Sequence, residues 1–111
     1  MGERVLKADP VPLFAALGDR TRLIIVTTLA DGEAHSISEL ASGFGMSRQA
    51  VTKHLKVLEK AGLVANDRAG RESRYRLEGE NLDTARDYLD RVSAYWDTAI
   101  GRLREFVEEE D

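Results

Sequence analysis

The sequence predicts a mainly α-helical fold with a two-stranded β-hairpin and five helices, the last of them long. Three observations lead to this prediction. Capping residues and glycines divide the chain into short segments, apolar residues recur every three or four positions, and one alternating stretch surrounds Gly70. With 111 residues, 42% of them apolar, the chain suits a single domain over residues 1–111.

Two N-terminal helices are predicted over residues 9–31. Asp9-Pro10 favours a helix start, because Asp is a good N-cap and Pro needs no hydrogen-bond partner in the first turn. Gly18 ends this helix, and Asp19 caps a second one that runs to Asp31-Gly32. The β-branched run Ile24–Thr28 would favour a strand by propensity, but the cap, the length and the terminal glycine favour a helix.

Residues 36–61 are predicted to form two helices joined by a turn. The pattern Ser36-x-x-Glu39 is a capping box for a short helix that ends near Gly43, and the residues from there to Met46 form the turn. Ser47 then starts a helix that Gly62 ends. One face of this helix is apolar and the other is polar and basic, the apolar positions being Val51, Leu55 and Leu58.

A β-hairpin is predicted over residues 63–77. Strands at 63–67 and 72–77 flank a turn at 68–71, in which Gly70 supplies a positive φ. Tyr75 and Leu77 face one side of the second strand, while Arg74 and Arg76 face the other. A helix-turn-helix followed by an arginine-bearing hairpin is the pattern of a winged helix-turn-helix, which reads duplex DNA.

The last predicted helix spans residues 81–107, with Asn81 as its cap and an acidic, frayed tail after it. Apolar residues repeat along it at alternating steps of three and four, which is the a/d pattern of a helix packed along a straight seam. A small domain cannot cover so long a seam, so we expect a homodimer interface formed by Leu82, Ala85, Leu89, Val92, Trp96, Ala99, Leu103 and Phe106. Trp96 could instead border a ligand pocket.

Charge is distributed unevenly along the chain. The formal net charge is −4, yet residues 47–76 hold eight basic and three acidic side chains. Residues 77–111 hold four basic and eleven acidic ones. A basic block in an otherwise acidic chain indicates a polyanion-binding element.

Candidate DNA contacts lie on the polar face of the 47–61 helix and on the hairpin. The side chains expected to read base edges are those of Arg48, Gln49, Thr52 and Lys53. Those expected at the DNA backbone or in the wing are Ser47, His54, Lys56, Arg68, Arg71 and Arg74. Ser47 could serve only as a cap, and His54 could equally make a structural hydrogen bond.

Composition argues against several other classes of protein. The chain has no Cys and two His, so thiolate sites and His clusters for metals are not expected, and no cofactor is predicted. No nucleophile with an adjacent base and no phosphate-binding glycine loop is recognisable, so we expect no enzyme. No segment is apolar enough for a membrane helix or signal peptide, which favours a cytoplasmic protein. A protein-interaction module on a winged-helix scaffold is the alternative to DNA binding.

Four blocks of the sequence also resemble a known family. They are the segments LGDRTRL at 17–23, SELA at 38–41, SRQAVTKHLKVLEKAGLV at 47–64 and GRESRYRL at 70–77. They resemble the arsenic-repressor-type (ArsR/SmtB) winged-helix regulators of bacteria, and the resemblance covers nearly the whole chain. It implies a dimeric repressor at the bacterial nucleoid that leaves its operator when a signal arrives.

The resemblance does not extend to metal sensing. Metal-sensing members carry thiolates in the short helix before the turn, and the segment 38–44 has none. Others use Asp and His of the last helix, which here has no His. The chain therefore looks like a non-metal-sensing member, whose signal would be an unidentified small molecule or protein.

Overall fold

The computed structural model describes residues 9–110, which form five α-helices and three short strands. The elements, in chain order, are α1 (Val11–Leu17), α2 (Arg20–Thr28), a 3-10 turn (Leu29–Asp31), β1 (His35–Ser36), α3 (Ile37–Phe44), α4 (Arg48–Lys60), β2 (Val64–Ala69), β3 (Glu72–Leu77) and α5 (Gly79–Glu110). Residues 1–8 and 111 of the single domain predicted over 1–111 lie outside the described residues.

Three of the predicted N-caps are confirmed by their hydrogen bonds. The side chains of Asp19, Ser36 and Ser47 accept from the backbone N–H three residues later, at 3.0, 3.1 and 3.1 Å. The first helix starts at Val11, one residue later than predicted, and the Asp9 carboxylate accepts from the Val11 N–H at 3.0 Å. These side chains satisfy N–H groups that have no partner inside the helix.

The turn between α3 and α4 is shorter than predicted. Residues 43 and 44, expected in the turn, belong to α3, which Gly45 ends with a φ of 64°. At the other end of α4, the N–H of Leu63 donates to the Leu58 carbonyl at 2.9 Å and that of Gly62 to the Glu59 carbonyl at 2.9 Å. This pair of bonds is a Schellman motif, as the sequence predicted.

The predicted hairpin is confirmed as the antiparallel pair β2–β3, but the sheet has three strands in the order β1-β3-β2, one more than predicted. In β1, His35 pairs with Tyr75 and Ser36 with Arg74. The chain must run extended into the cap of α3, and this extended backbone fills the free edge of β3. A two-residue strand has no alternation, so the sequence pattern could not reveal it.

The hairpin also turns more tightly than predicted. β2 continues to Ala69, whose partner in β3 is Glu72, so the loop contains only Gly70 and Arg71. Gly70 has a φ of 67°, which suits the first position of a two-residue hairpin loop. The tight loop places Arg71 at the tip of the wing.

The hydrophobic core lies between the helices and the inner face of the sheet. The largest fully buried side chains come from α2, the 3-10 turn, α4 and the approach to β2: Ile25, Leu29, Val51, Leu55, Leu58 and Leu63. Tyr75 closes the core from β3. The predicted apolar face of α4 is thus confirmed, and its burial fixes which face of α4 points outward.

The long helix begins at Gly79, so the prediction that Asn81 caps it is wrong. The Asn81 side chain instead donates from Nδ2 to the Gly62 carbonyl oxygen at 2.6 Å, which ties the start of α5 to the end of α4. The helix also continues to Glu110, through the predicted frayed tail. No helix within residues 9–110 is both long and apolar enough to cross a membrane.

Candidate nucleic-acid interface

The outward face of α4 carries the side chains that the sequence assigned to base reading. Arg48, Gln49 and Lys53 are exposed, and Thr52 is half-buried. The Thr52 hydroxyl donates to the Arg48 carbonyl at 2.7 Å, so its hydrogen is engaged within the helix. Lys56 lies one turn further along and is also exposed. A helix with this face free has the width and the donor groups to enter a major groove.

The wing arginines fall into two groups. Arg68 and Arg71 are exposed, and within residues 9–110 neither has a carboxylate at salt-bridge distance. Arg74 is half-buried, with Nη2 3.4 Å from a Glu72 oxygen and 3.8 Å from a Glu39 oxygen. Arg74 therefore holds the wing to α3 as well as adding positive charge.

Arg76 belongs to the body of the wing. Its Nε donates to an Asp67 oxygen at 2.6 Å and its Nη1 to a Glu78 oxygen at 2.7 Å. The bond to Asp67 is the main reason that the pKa of Arg76 is raised, followed by the bond to Glu78. Asp67 on the neighbouring strand and Glu78 just after β3 are thus both used in ion pairs with Arg76, away from the wing tip.

The tip of the wing and the start of α4 border one cleft of about 340 Å³. Arg48 lines it from α4 and Arg71 from the hairpin loop, and the start of α3 adds Ser36 and Ser38. Sequence reasoning placed both arginines in the interface but not together. The cleft offers two guanidinium groups and the exposed Ser38 hydroxyl, which are groups that hydrogen-bond phosphate oxygens. One carboxylate, that of Glu72, also lines it, and Arg74 Nη2 lies 3.4 Å from a Glu72 oxygen.

His54 lies on the inner edge of α4, towards the α1–α2 connection. Its Nδ1 lies 3.5 Å from Arg22 Nη1 and 3.8 Å from an Asp19 carboxylate oxygen. The backbone N–H of Arg22, and after it the positive charges of Arg22 and His54, lower the pKa of Asp19. Of the two roles left open by the sequence, this position favours the structural hydrogen bond.

Two features of the site were missed by sequence reasoning. One is the Arg22 guanidinium, which donates from Nε to the Ala16 carbonyl at 2.6 Å and reaches His54 on α4. The other is His35, which lies 2.8 Å from an Asp31 oxygen and 3.3 Å from a Glu39 oxygen. Asp31, His35 and Glu39 are spaced four residues apart, a spacing that brings side chains together on a helix. Because His35 lies in β1 and not in a helix, the spacing alone did not predict these contacts.

The long helix leaves much of its apolar seam uncovered. Ala85 is buried in the domain's own core, and Leu82 packs against that core. From there on the large seam residues are exposed, with fractional exposures of 54% for Leu89, 63% for Trp96, 64% for Leu103 and 59% for Phe106. Val92 is half-buried and Ala99 is exposed.

Metal-ligating side chains are not clustered in the part of the chain that the structure describes. Across residues 9–110, no group of three or more His, Asp or Glu side chains is arranged to hold a metal ion. The buried side-chain nitrogen and oxygen atoms of the described residues all have hydrogen-bond partners.

Comparison with known proteins identifies the family. Residues 17–66 match the model of a helix-turn-helix domain. The HTH-type transcriptional regulator Rv2034 of Mycobacterium tuberculosis is 38% identical over 102 residues, covering 92% of both chains. An ArsR-like transcriptional regulator from Rhodococcus sp. RHA1 has a similar structure, with a TM-score of 0.72, 40% identity, and coverage of 86% of this chain and 90% of that one.

This chain belongs to the ArsR family of helix-turn-helix transcriptional regulators. A further structural neighbour is a fragment of Mb0332 from Mycobacterium bovis, described as the homodimeric winged helix-turn-helix DNA-binding domain of a possible ArsR-family transcriptional regulator. It has a TM-score of 0.65 and 30% identity, and the match covers 83% of each chain. The winged helix-turn-helix fold predicted from the sequence is confirmed, and the matched proteins are regulators rather than enzymes.

Proposed function

We propose that this ArsR-family regulator represses transcription by binding an inverted-repeat operator in double-stranded DNA as a homodimer. The observation that carries the proposal is the shared cleft of Arg48 and Arg71 beside the outward face of α4. It combines a helix face for base edges with unpaired cations for phosphates. A protein-interaction module would not need both.

Roles for the individual side chains follow from their positions. We assign base reading to Gln49 and Lys53, with Thr52 beside them, and phosphate contact to Arg48 because it shares the cleft with Arg71. The remaining candidate backbone contacts are Ser47, Lys56, Arg68 and Arg74. The main role that we assign to His54 is to support α4 through its contact with Arg22, and contact with DNA is its secondary role.

The homodimer is proposed from the uncovered seam of α5. A seam that includes Leu89, Trp96, Leu103 and Phe106 is too large an apolar stripe to remain in water. Two copies related by a twofold axis would cover it mutually and would present two α4 helices to one side of the duplex. The half-sites would then lie about one helical turn apart, and the bound dimer would block access to the DNA it covers. The homodimeric state described for the Mb0332 fragment supports this arrangement.

Selection of bound duplexes from a random DNA library, followed by affinity measurements across salt concentrations, tests the proposal. We expect an imperfect inverted repeat to be enriched. A plot of the logarithm of the binding constant against the logarithm of the salt concentration should have a slope of about −0.9 for each phosphate that the protein neutralises. No enrichment, or an affinity that salt leaves unchanged, would contradict DNA binding and favour the protein-interaction module.

Variants separate the two kinds of contact. Gln49→Ala should lose about 1–3 kcal/mol against the selected site and little against unrelated DNA. Arg71→Gln should weaken binding to every sequence alike and reduce the salt dependence. Arg104→Gln, which removes an exposed cation of α5 outside the basic block, is the matched control and should leave both affinities unchanged.

A further inference from the structure

A second concave surface lies at the C-terminal end of α4, whereas the cleft of Arg48 and Arg71 borders its start. It is a groove of about 680 Å³ between α1 and the C-terminal end of α4. Pro12 and Ala15 of α1 form one apolar wall, and Val57 and Ala61 form the other. Its volume lies within the range of pockets that bind small molecules.

Two cations border this apolar groove. Lys60 lines it from the last turn of α4, is exposed, and within residues 9–110 forms no ion pair. Arg22 lines it from α2 and is half-buried. Among residues 9–110 no carboxylate lines the groove, and Asp19, whose pKa Arg22 lowers, is not one of the lining residues. An apolar floor with two positive charges at its edge is complementary to a molecule that has an apolar body and one anionic end.

The Arg22 guanidinium links the groove to the DNA-binding helix. Nε is held by the Ala16 carbonyl at 2.6 Å, while Nη1 reaches Nδ1 of His54 at the longer distance of 3.5 Å. A carboxylate bound in the groove would compete with His54 for the loosely held end of the guanidinium. His54 lies on the same helix as the base-reading residues. Loss of its contact with Arg22 would therefore disturb the packing of α4 against α2.

We propose that this groove binds an amphipathic monocarboxylate and that its occupation lowers the affinity of the protein for DNA. The second part rests on the proposed function above. The first part stands on the groove alone. Charge complementarity with Arg22 and Lys60 selects the carboxylate, and the apolar walls select an alkyl or aryl body of moderate length.

Octanoate is a suitable probe of the site, and its binding to the 111-residue chain can be followed by amide NMR. We expect saturable binding below about 1 mM, the strength that an open site gives a ligand of about ten heavy atoms. The shifted amides should be those of Ala15, Val57 and Ala61. Butyrate, which lacks the apolar body, and 1-octanol, which lacks the charge, should each bind at least about tenfold more weakly.

Variants test the assignment of the charges. Lys60→Gln should weaken octanoate binding about fivefold to tenfold, because it removes one charge-assisted contact at a partly open site. Val57→Asp, which places a negative charge on an exposed part of the wall, should abolish it. Arg86→Gln removes an exposed cation of α5 that does not line the groove and should bind octanoate normally.

Each contrary outcome is distinguishable. Equal binding of octanoate and 1-octanol would overturn the carboxylate preference. Shifts centred on Trp96 would show binding to the α5 seam instead, and no binding to a dimeric sample would show that the partner subunit fills the groove. Either result overturns the site.

The regulatory part is tested separately, with the selected operator. Saturating octanoate should weaken DNA binding at least about fivefold in the wild type and leave Val57→Asp, which does not bind octanoate, unaffected. Octanoate binding without any change in DNA affinity would overturn the regulatory part while leaving the site. Failure to bind any DNA would instead contradict the proposed function, and the NMR result would still decide the site.

Discussion

The two amphipathic helices α4 and α5 follow similar apolar patterns but differ in what covers them. Val51, Leu55 and Leu58 of α4 are fully buried within the domain. On α5 the same spacing leaves Trp96 63% exposed and Leu103 64% exposed. Periodicity therefore predicts that a face will be covered, but it does not say whether the cover comes from the same chain or from another one.

The apolar face of α4 should contribute to stability within a single chain. Leu55→Ala removes a fully buried side chain and should lower the free energy of unfolding by about 2–5 kcal/mol. The loss comes from within one chain, so thermal unfolding of the variant should be measured at several protein concentrations. The difference between wild type and variant should stay constant; a difference that grows on dilution would mean that α4 also packs against a partner.

For a variant in the exposed seam of α5, the effect on stability should depend on protein concentration. Trp96→Ala should weaken dimerisation by about 2–4 kcal/mol and reduce operator affinity without removing a DNA contact. Asp97→Ala, next to it but off the seam, should have little effect. Trp96 is the only tryptophan in the chain, so its emission in the wild type should shift to longer wavelength as dilution separates the subunits.

The contact between the end of α4 and the start of α5 can be tested at Gly62. Its φ is +78°, and a Cβ added there would lie 2.5 Å from Asn81 Nδ2. Gly62→Ala should therefore destabilise the fold by about 1–3 kcal/mol, through backbone strain and displacement of Asn81. Chemical denaturation measures the loss. The double variant Gly62→Ala/Asn81→Ala should recover the part due to the clash, and no recovery would mean that backbone strain alone is responsible.

These cases show what the sequence could and could not predict. The caps at Asp19, Ser36 and Ser47 were recognisable because a cap depends on residues within one turn. The strand at His35-Ser36 and the role of Asn81 were not, because each depends on a partner far away in the chain. The same limit applies to the site: the outward face of α4 followed from its period, whereas the meeting of Arg48 with Arg71 depends on how the wing packs.

The wing offers a smaller contrast between two arginines, the exposed Arg71 and the half-buried Arg76. Arg71→Gln should lower DNA affinity by about 1 kcal/mol and leave thermal stability unchanged, since Arg71 has no ion pair within the described residues. Arg76→Gln breaks the bonds to Asp67 and Glu78 and should act mainly on stability. Comparing melting curves and DNA titrations of both variants checks the division; equal loss of DNA affinity would assign Arg76 to the interface too.

The smallest expected effect is a pH dependence at the support of α4. The lowered pKa of Asp19, due first to the Arg22 backbone N–H, means that its ionised form is favoured in the folded state. This stabilisation is fully present above the usual value of 3.8 and is lost as pH falls through the lower folded pKa. Denaturation of wild type and Asp19→Asn should therefore differ near neutral pH and converge in acid. A gap that persists at pH 2 would mean that the carboxylate charge is not its source.

The central claim is that a second copy of the chain covers the α5 seam from Leu89 to Phe106. Sedimentation equilibrium of the wild-type protein at micromolar concentration tests it most directly. The account predicts a mass of twice the chain's 12.3 kDa, which falls towards the single-chain value in Trp96→Ala. A wild-type mass of 12.3 kDa across that range, or a Trp96→Ala variant that remains fully dimeric, would contradict it.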